Sequence, residues 1–270
     1  MIPLASEGSL SPAHQKALRR AFQQLERQNF AAQLADHAGR PVDRLLRLMP
    51  KPASAGLNRA IEAAILQSLN LAIRSIEPAS KRRPATGLSS LLAGINGGVS
   101  GFFGFAALPI ELPLTTTLML RSIADIARHH GEDLSRLDAR LACVEVFALG
   151  AGGAQKRMDV GYYASRALLS KLAGDASAYL LERSTVSATT PVVNSLLTEI
   201  ASRFGVIASE RFAVSAMPVL GAVGGATVNM IFMNYFQRIA QGHFTIRRLE
   251  RRYGQAVVRR HYERLSQIAT

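Results

Sequence analysis

Residues 84–121 read PATGLSSLLAGINGGVSGFFGFAALPIELPLTTTLMLR, with no charge before Glu111 and none again until Arg121. Glycines recur at Gly94, Gly97, Gly98, Gly101 and Gly104, so one face of a helix here would be almost bare backbone. Small residues at such spacing let helices approach closely and pack by van der Waals contact. A second stretch, FAVSAMPVLGAVGGATVNMIFMNYFQ over residues 212–237, repeats the pattern with Gly221, Gly224 and Gly225. The flanking chain carries helical spacing throughout and no convincing alternating run. The expected fold is all-α: a multi-helix bundle built around two Gly-rich apolar helical segments.

Working outward, Ser11-Pro12 is a helix start, with Ser as N-cap and Pro at the first position. Arg40-Pro41 and Met49-Pro50-Lys51-Pro52 mark breaks. A helix from about Ser54 to Ile76 places Leu57, Ile61, Ile65, Leu69, Ala72 and Ile76 on one stripe. Within the first apolar segment the pattern predicts a Gly-rich helix from Leu88 to about Phe105. Pro109 and Pro113 should keep Ile110-Glu111-Leu112 out of helix interior, with a new helix from Pro113 to Gly131 as its C′ residue. Ser135 is expected to cap the next helix, which stops at the Gly150–Gly153 run. Further helices are expected at 159–172, at 175–182, and from Thr190-Pro191 to Phe204-Gly205. The second apolar segment should give a helix through Pro218 to Ala240, followed by 244–268. On that last helix Ile246, Leu249, Tyr253, Val257 and Leu265 offer an apolar face among paired arginines.

Charge is distributed unevenly. Net charge is +13; residues 1–83 carry 13 basic and 6 acidic groups, residues 84–237 carry 11 of each, and residues 238–270 carry 8 and 2. The excess therefore sits at the two ends, beside a neutral middle. Basic ends flanking apolar segments, including Lys81-Arg82-Arg83-Pro84, are what an anionic membrane surface attracts. Nucleic acid is the weaker expectation, because no helix-turn-helix or aromatic platform accompanies the charge. A single cysteine, Cys143, fits a reducing compartment, and no secretory leader opens this sequence. The expected location is the cytoplasmic face of a membrane, with two true spans as the alternative, since each apolar segment exceeds the ~20 residues needed to cross.

Candidate site residues are few. Glu111 in an apolar run needs a partner if buried, and Arg121 with Asp125 on the following helix could complete a Glu111–Arg121–Asp125 network. Such a network reads either as an ion pair that docks helices or as a carboxylate site for a lipidic or hydrophobic substrate. Asn229 and Asn234 in the second apolar segment are expected to be buried amides needing partners, capping or cross-linking helices or, for Asn229, meeting a ligand, while Asn96 inside the first segment argues against a span. Glu145 is a possible buried acid. His129 and His130 point to different helix faces and suit a helix C-terminus better than a metal; no metal and no cofactor is expected. Arg247, Arg248, Arg251 and Arg252 are expected to meet the membrane surface. Neither glycine-rich run follows a strand or precedes Lys-Ser or Lys-Thr, which argues against a phosphate loop.

Two long stretches resemble the EcsC family of bacterial proteins: GGVSGFFGFAALPIELPLTTTLMLRSIADIA (97–127) with Gly131-Glu132-Asp133, and PVLGAVGGATVNMIFMNYFQRIAQGHFTIRRLERRYG (218–254). The resemblance runs from Leu88 to Gly254. The expected divisions are a basic N-terminal region over 1–83, an EcsC-like domain over 84–254, and a basic helix end over 255–270. It implies a helical bacterial protein and no particular reaction. Because the family is named for a member encoded beside an ABC transporter, it also implies a membrane transporter as a possible partner.

Overall fold

The computed structural model describes residues 10–26, 30–38, 51–74, 108–150, 161–182, 190–215 and 221–269. Among them are nine α-helices and no strand, as the periodicity predicts. The glycines of the first apolar segment, Asn96 and the 81–84 linker lie outside the described residues.

Local sequence sets several boundaries directly. Helix α1 (Pro12–Glu26) begins with Ser11 Oγ accepting the His14 N–H at 3.4 Å and Pro12 in the first turn. After α2 (Phe30–Ala38), α3 (Lys51–Arg74) opens with Pro52 in its first turn. Its stripe Leu57, Ile61, Ile65, Leu69 and Ala72 is buried as expected.

Helix α4 (Leu108–His129) runs through Ile110-Glu111-Leu112 and Pro113, where a break is expected. Pro109 falls where a missing N–H needs no partner, and Pro113 forfeits a single ladder bond. The Thr116 and Thr117 hydroxyls donate to the Leu112 and Pro113 carbonyls in the same turn. The helix ends as Gly131 predicts: Gly131 takes φ +81°, its N–H bonds Arg128 O at 2.9 Å, and Glu132 N–H bonds Ala127 O at 3.0 Å. That pair of bonds is a Schellman closure, and it fixes where Glu132 points.

Helix α5 (Leu137–Leu149) has Arg136, not Ser135, at its N-cap; Ser135 Oγ instead donates to Asp133 at 2.7 Å. Every residue from Leu141 to Leu149 is buried. A helix apolar on all sides belongs in the middle of a bundle, and α5 touches α3, α4, α6, α7 and α8.

Three expected breaks are absent. Helix α6 (Tyr162–Glu182) passes through Gly174, α7 (Pro191–Ser215) through Gly205, and α8 (Gly221–Tyr253) through Gly242. A glycine inside a helix costs only about 1 kcal/mol. Burial on either side, as at Leu169, Ala173 and Ala176 around Gly174, outweighs it. The chain turns only at Gly254, with φ +83°, before α9 (Gln255–Ala269).

The helix expected through Pro218 falls partly outside the described residues, and the described end of the second apolar segment forms core. Phe232, Met233, Tyr235 and Phe236 of α8 are buried in an aromatic cluster with Phe30, Phe147 and Phe204, ring centroids 5.1–5.9 Å apart. No described helix is long and apolar enough to cross a membrane. The apolar face expected to lie in lipid is also used internally. Ile246 and Leu249 are buried, and Tyr253, Val257 and Leu265 pack against the core. Helix α1 covers that face, with His14 bonded to Tyr253 at 2.7 Å and Phe22 against Tyr262.

Candidate functional site

The continuity of α4 decides the fate of the predicted Glu111–Arg121–Asp125 network. Fourteen residues on one helix hold Glu111 and Asp125 ~21 Å apart along its axis. Glu111 is buried and ion-paired with Arg211 of α7, whose guanidinium also stacks 5.1 Å from the Phe232 ring centroid. Asp125 pairs with Arg128 at 2.7 Å, and Arg121 is exposed. The network is therefore not formed, and the two carboxylates do not share a site. Asn229 is fully buried in α8, whereas Asn234 is exposed.

The four arginines expected on one membrane face divide into two faces of α8, because residues four apart align and adjacent ones diverge by about 100°. Arg247 grips Glu132 through two bonds of 2.9 Å each, and Arg251 pairs with Glu132 while donating to His130 O at 2.6 Å. Burial pushes the Glu132 carboxyl up, but the Arg247 and Arg251 hydrogen bonds and charges bring it below its ordinary range. Arg248 and Arg252 turn instead toward α1, where their charges, after burial, lower the pKa of His14.

Between α1, the end of α4 and α8 lies a groove of about 800 Å³. Lys16 and Arg20 from α1, Arg248 and Thr245 from α8, and His129 and His130 from α4 line it, and no Asp or Glu among the described residues does. Among the described residues none of its three permanent cations has an ion-pair partner. His130 is not the charged cap expected at a helix C-terminus. Burial lowers its pKa to about 4, with Arg248, His129 and Arg251 acting in the same direction.

Sequence reading missed a second polar assembly, made by α6 against α8. Arg166 clasps Glu250 at 2.8 and 2.7 Å, Tyr163 donates to Glu250 at 3.0 Å, and Tyr162 Oη meets His243 Nδ1 at 2.9 Å. Tyr262 and the Tyr162 backbone N–H both bond Glu26. His243 is wholly buried, and burial holds it well below its ordinary pKa. Only the adjacency Tyr162-Tyr163 with Arg166 one turn on hinted at it. These groups close on one another, and their arrangement latches helices together.

The EcsC protein family matches residues 13–249. The chain belongs to the EcsC family. No curated protein and no solved structure matches it. The family match takes in α1 to α3, ahead of Leu88 where the resemblance in the sequence began. Both walls of the basic groove thus lie in the family region of this EcsC chain. Among its described residues no group of three or more His, Cys, Asp and Glu is placed to hold a metal. Cys143 is core: its thiol is fully buried, donates to Ala139 O at 3.4 Å, and is pushed up in pKa by burial.

Proposed function

We propose that this EcsC protein is a non-enzymatic, peripheral membrane protein that docks on anionic lipid through a basic lobe formed by α1, the end of α8, and α9. One observation carries the reading: the two basic ends of the sequence, more than 200 residues apart, pack on each other, α1 lying against both α8 and α9. Exposed Lys16, Arg19, Arg20, Arg248, Arg252, Arg260 and Arg264 belong to these three helices. Each cation near an anionic surface adds roughly 1 kcal/mol, additively enough for several to hold a protein there. The natural site is the cytoplasmic leaflet, where such lipid faces the cell interior.

Lipid is favoured over a transporter partner because exposed large apolar residues in the described chain are scattered singly. Leu114, Leu168, Val206 and Ile268 sit on four different helices, and protein interfaces need a contiguous apolar centre. The carboxylate-enzyme alternative loses its support with the separation of Glu111 from Asp125. Fractionation of cells producing the chain tests the reading. Pelleting with membranes and release by a salt wash is the expected result. Recovery wholly in the supernatant at low ionic strength contradicts docking, and retention through alkaline carbonate contradicts its peripheral character.

A further inference from the structure

The basic groove gathers three cations from two helices, and among the described residues none of the three has an ion-pair partner. On the neighbouring face of α8, Arg247 and Arg251 are neutralised by Glu132. In the groove, Lys16 and Arg20 stand four apart on α1 and share the lining with Arg248 of α8, with no carboxylate among the described lining residues. Like charges at that spacing repel, and fixing them together is a cost that a bound anion would remove. Short side chains, Ala13 and Ala17, line the groove alongside the cations. Gln24 of α1 donates to Gln241 of α8 at 3.2 Å, and both line the groove. A volume of about 800 Å³ falls in the range of small-molecule sites. Burial, and after it the charges of Arg248 and Arg251, keeps His130 on the α4 wall neutral.

Guanidinium forks pair bidentately with phosphate oxygens and an ammonium adds a point charge beside them, so together they suit a multiply charged phosphate over a neutral ligand. We infer that the α1/α4/α8 groove binds a phosphate-bearing ligand of at least two negative charges, with Lys16, Arg20 and Arg248 holding the phosphate oxygens. At a bilayer this ligand is the headgroup of a lipid ending in a phosphomonoester, a step that rests on the membrane reading above. Thr245 and neutral His130 line the same groove and supply uncharged hydrogen-bonding groups beside the cations.

The test uses the full chain, inorganic pyrophosphate by calorimetry, and phosphatidylcholine vesicles doped with phosphatidate or phosphatidylglycerol at matched surface charge. The groove variants are K16Q/R20Q and R248Q; R260Q/R264Q, exposed on α9, is the control. The groove variants should weaken pyrophosphate binding about tenfold or more, against little change in the control, tenfold being about 1.4 kcal/mol. They should also abolish the preference for phosphatidate, while the control weakens both vesicle types alike. Groove-dependent pyrophosphate binding with no vesicle binding supports a soluble phosphate ligand here and sinks the membrane reading instead. Vesicle binding without phosphatidate preference, together with no pyrophosphate binding, overturns the groove and leaves the lobe standing. Equal loss in groove and control variants overturns it too, as the mark of diffuse charge.

Discussion

Gly242 of α8 lies so close to α1 that a methyl group placed on it would sit 3.2 Å from the Ala21 carbonyl oxygen and 2.9 Å from Leu25 Cγ. The contact lets the two helices meet nearly backbone to backbone, and their crossing is what brings the basic ends together. Gly242→Ala should gain up to about 1 kcal/mol of helix propensity and lose more, about 1–3 kcal/mol, to overpacking. Chemical denaturation reads the difference; an unchanged or raised midpoint would show that α1 yields without cost.

Glu111 and Arg211 form a buried pair linking α4 to α7. Removing one partner leaves the other charged and buried, so Arg211→Met alone should destabilise by about 3–5 kcal/mol. The double variant E111L/R211M should recover much of that loss. A double-mutant cycle showing additive costs would mean the pair is not coupled, and Glu111 would regain interest as a free carboxylate.

Glu145, in the middle of α5, is 3% exposed, and burial raises its pKa from 4.5 to about 7, with Arg247 and Arg166 pulling weakly the other way. The folded state keeps a proton that the unfolded chain releases above 4.5. Stability from this group therefore falls as pH rises from about 4.5 to 7 and is level beyond. Glu145→Gln should be more stable than the parent at pH 8 by at most about 3 kcal/mol, with the gap closing toward pH 4.5. A gap independent of pH would contradict the assignment.

His130 behaves in the opposite sense. Its folded pKa of about 4, against 6.5 ordinarily, means the unfolded chain takes up the proton first on acidification. The stability it contributes is complete above pH 6.5 and is lost as pH falls toward 4. Histidine titration by NMR should place its midpoint near 4, moving upward when phosphate occupies the groove because an anion offsets Arg248. A midpoint near 6.5 in the free protein would contradict the burial of His130 beside Arg248.

Much of this was legible in the residues, and the illegible part has a physical pattern. Ser11-Pro12, Pro191 and Gly131 act through local backbone chemistry, so the starts of α1 and α7 and the end of α4 follow from neighbours in sequence. The apolar surroundings of Cys143 and Glu145 likewise announced burial. Continuity through Gly174, Gly205 and Gly242 was not legible, because glycine's modest helix penalty is overridden by packing from elsewhere. Glu111's partner stands 100 residues away, beyond the reach of spacing arguments. Helical spacing already separates Arg247/Arg251 from Arg248/Arg252, but which face is neutralised depends on Glu132, which the Schellman turn after His129 aims at α8. The groove required α1 to cross α8, a pairing that no periodicity encodes.

Sedimentation with phosphatidylglycerol vesicles against phosphatidylcholine vesicles, at low ionic strength and then with rising salt, tests most directly whether the joined basic ends serve as a membrane-docking lobe. The chain should pellet with the anionic vesicles, leave the neutral ones untouched, and detach steeply as salt screens its arginines. Equal partition into both vesicles, or none into either, would contradict the account.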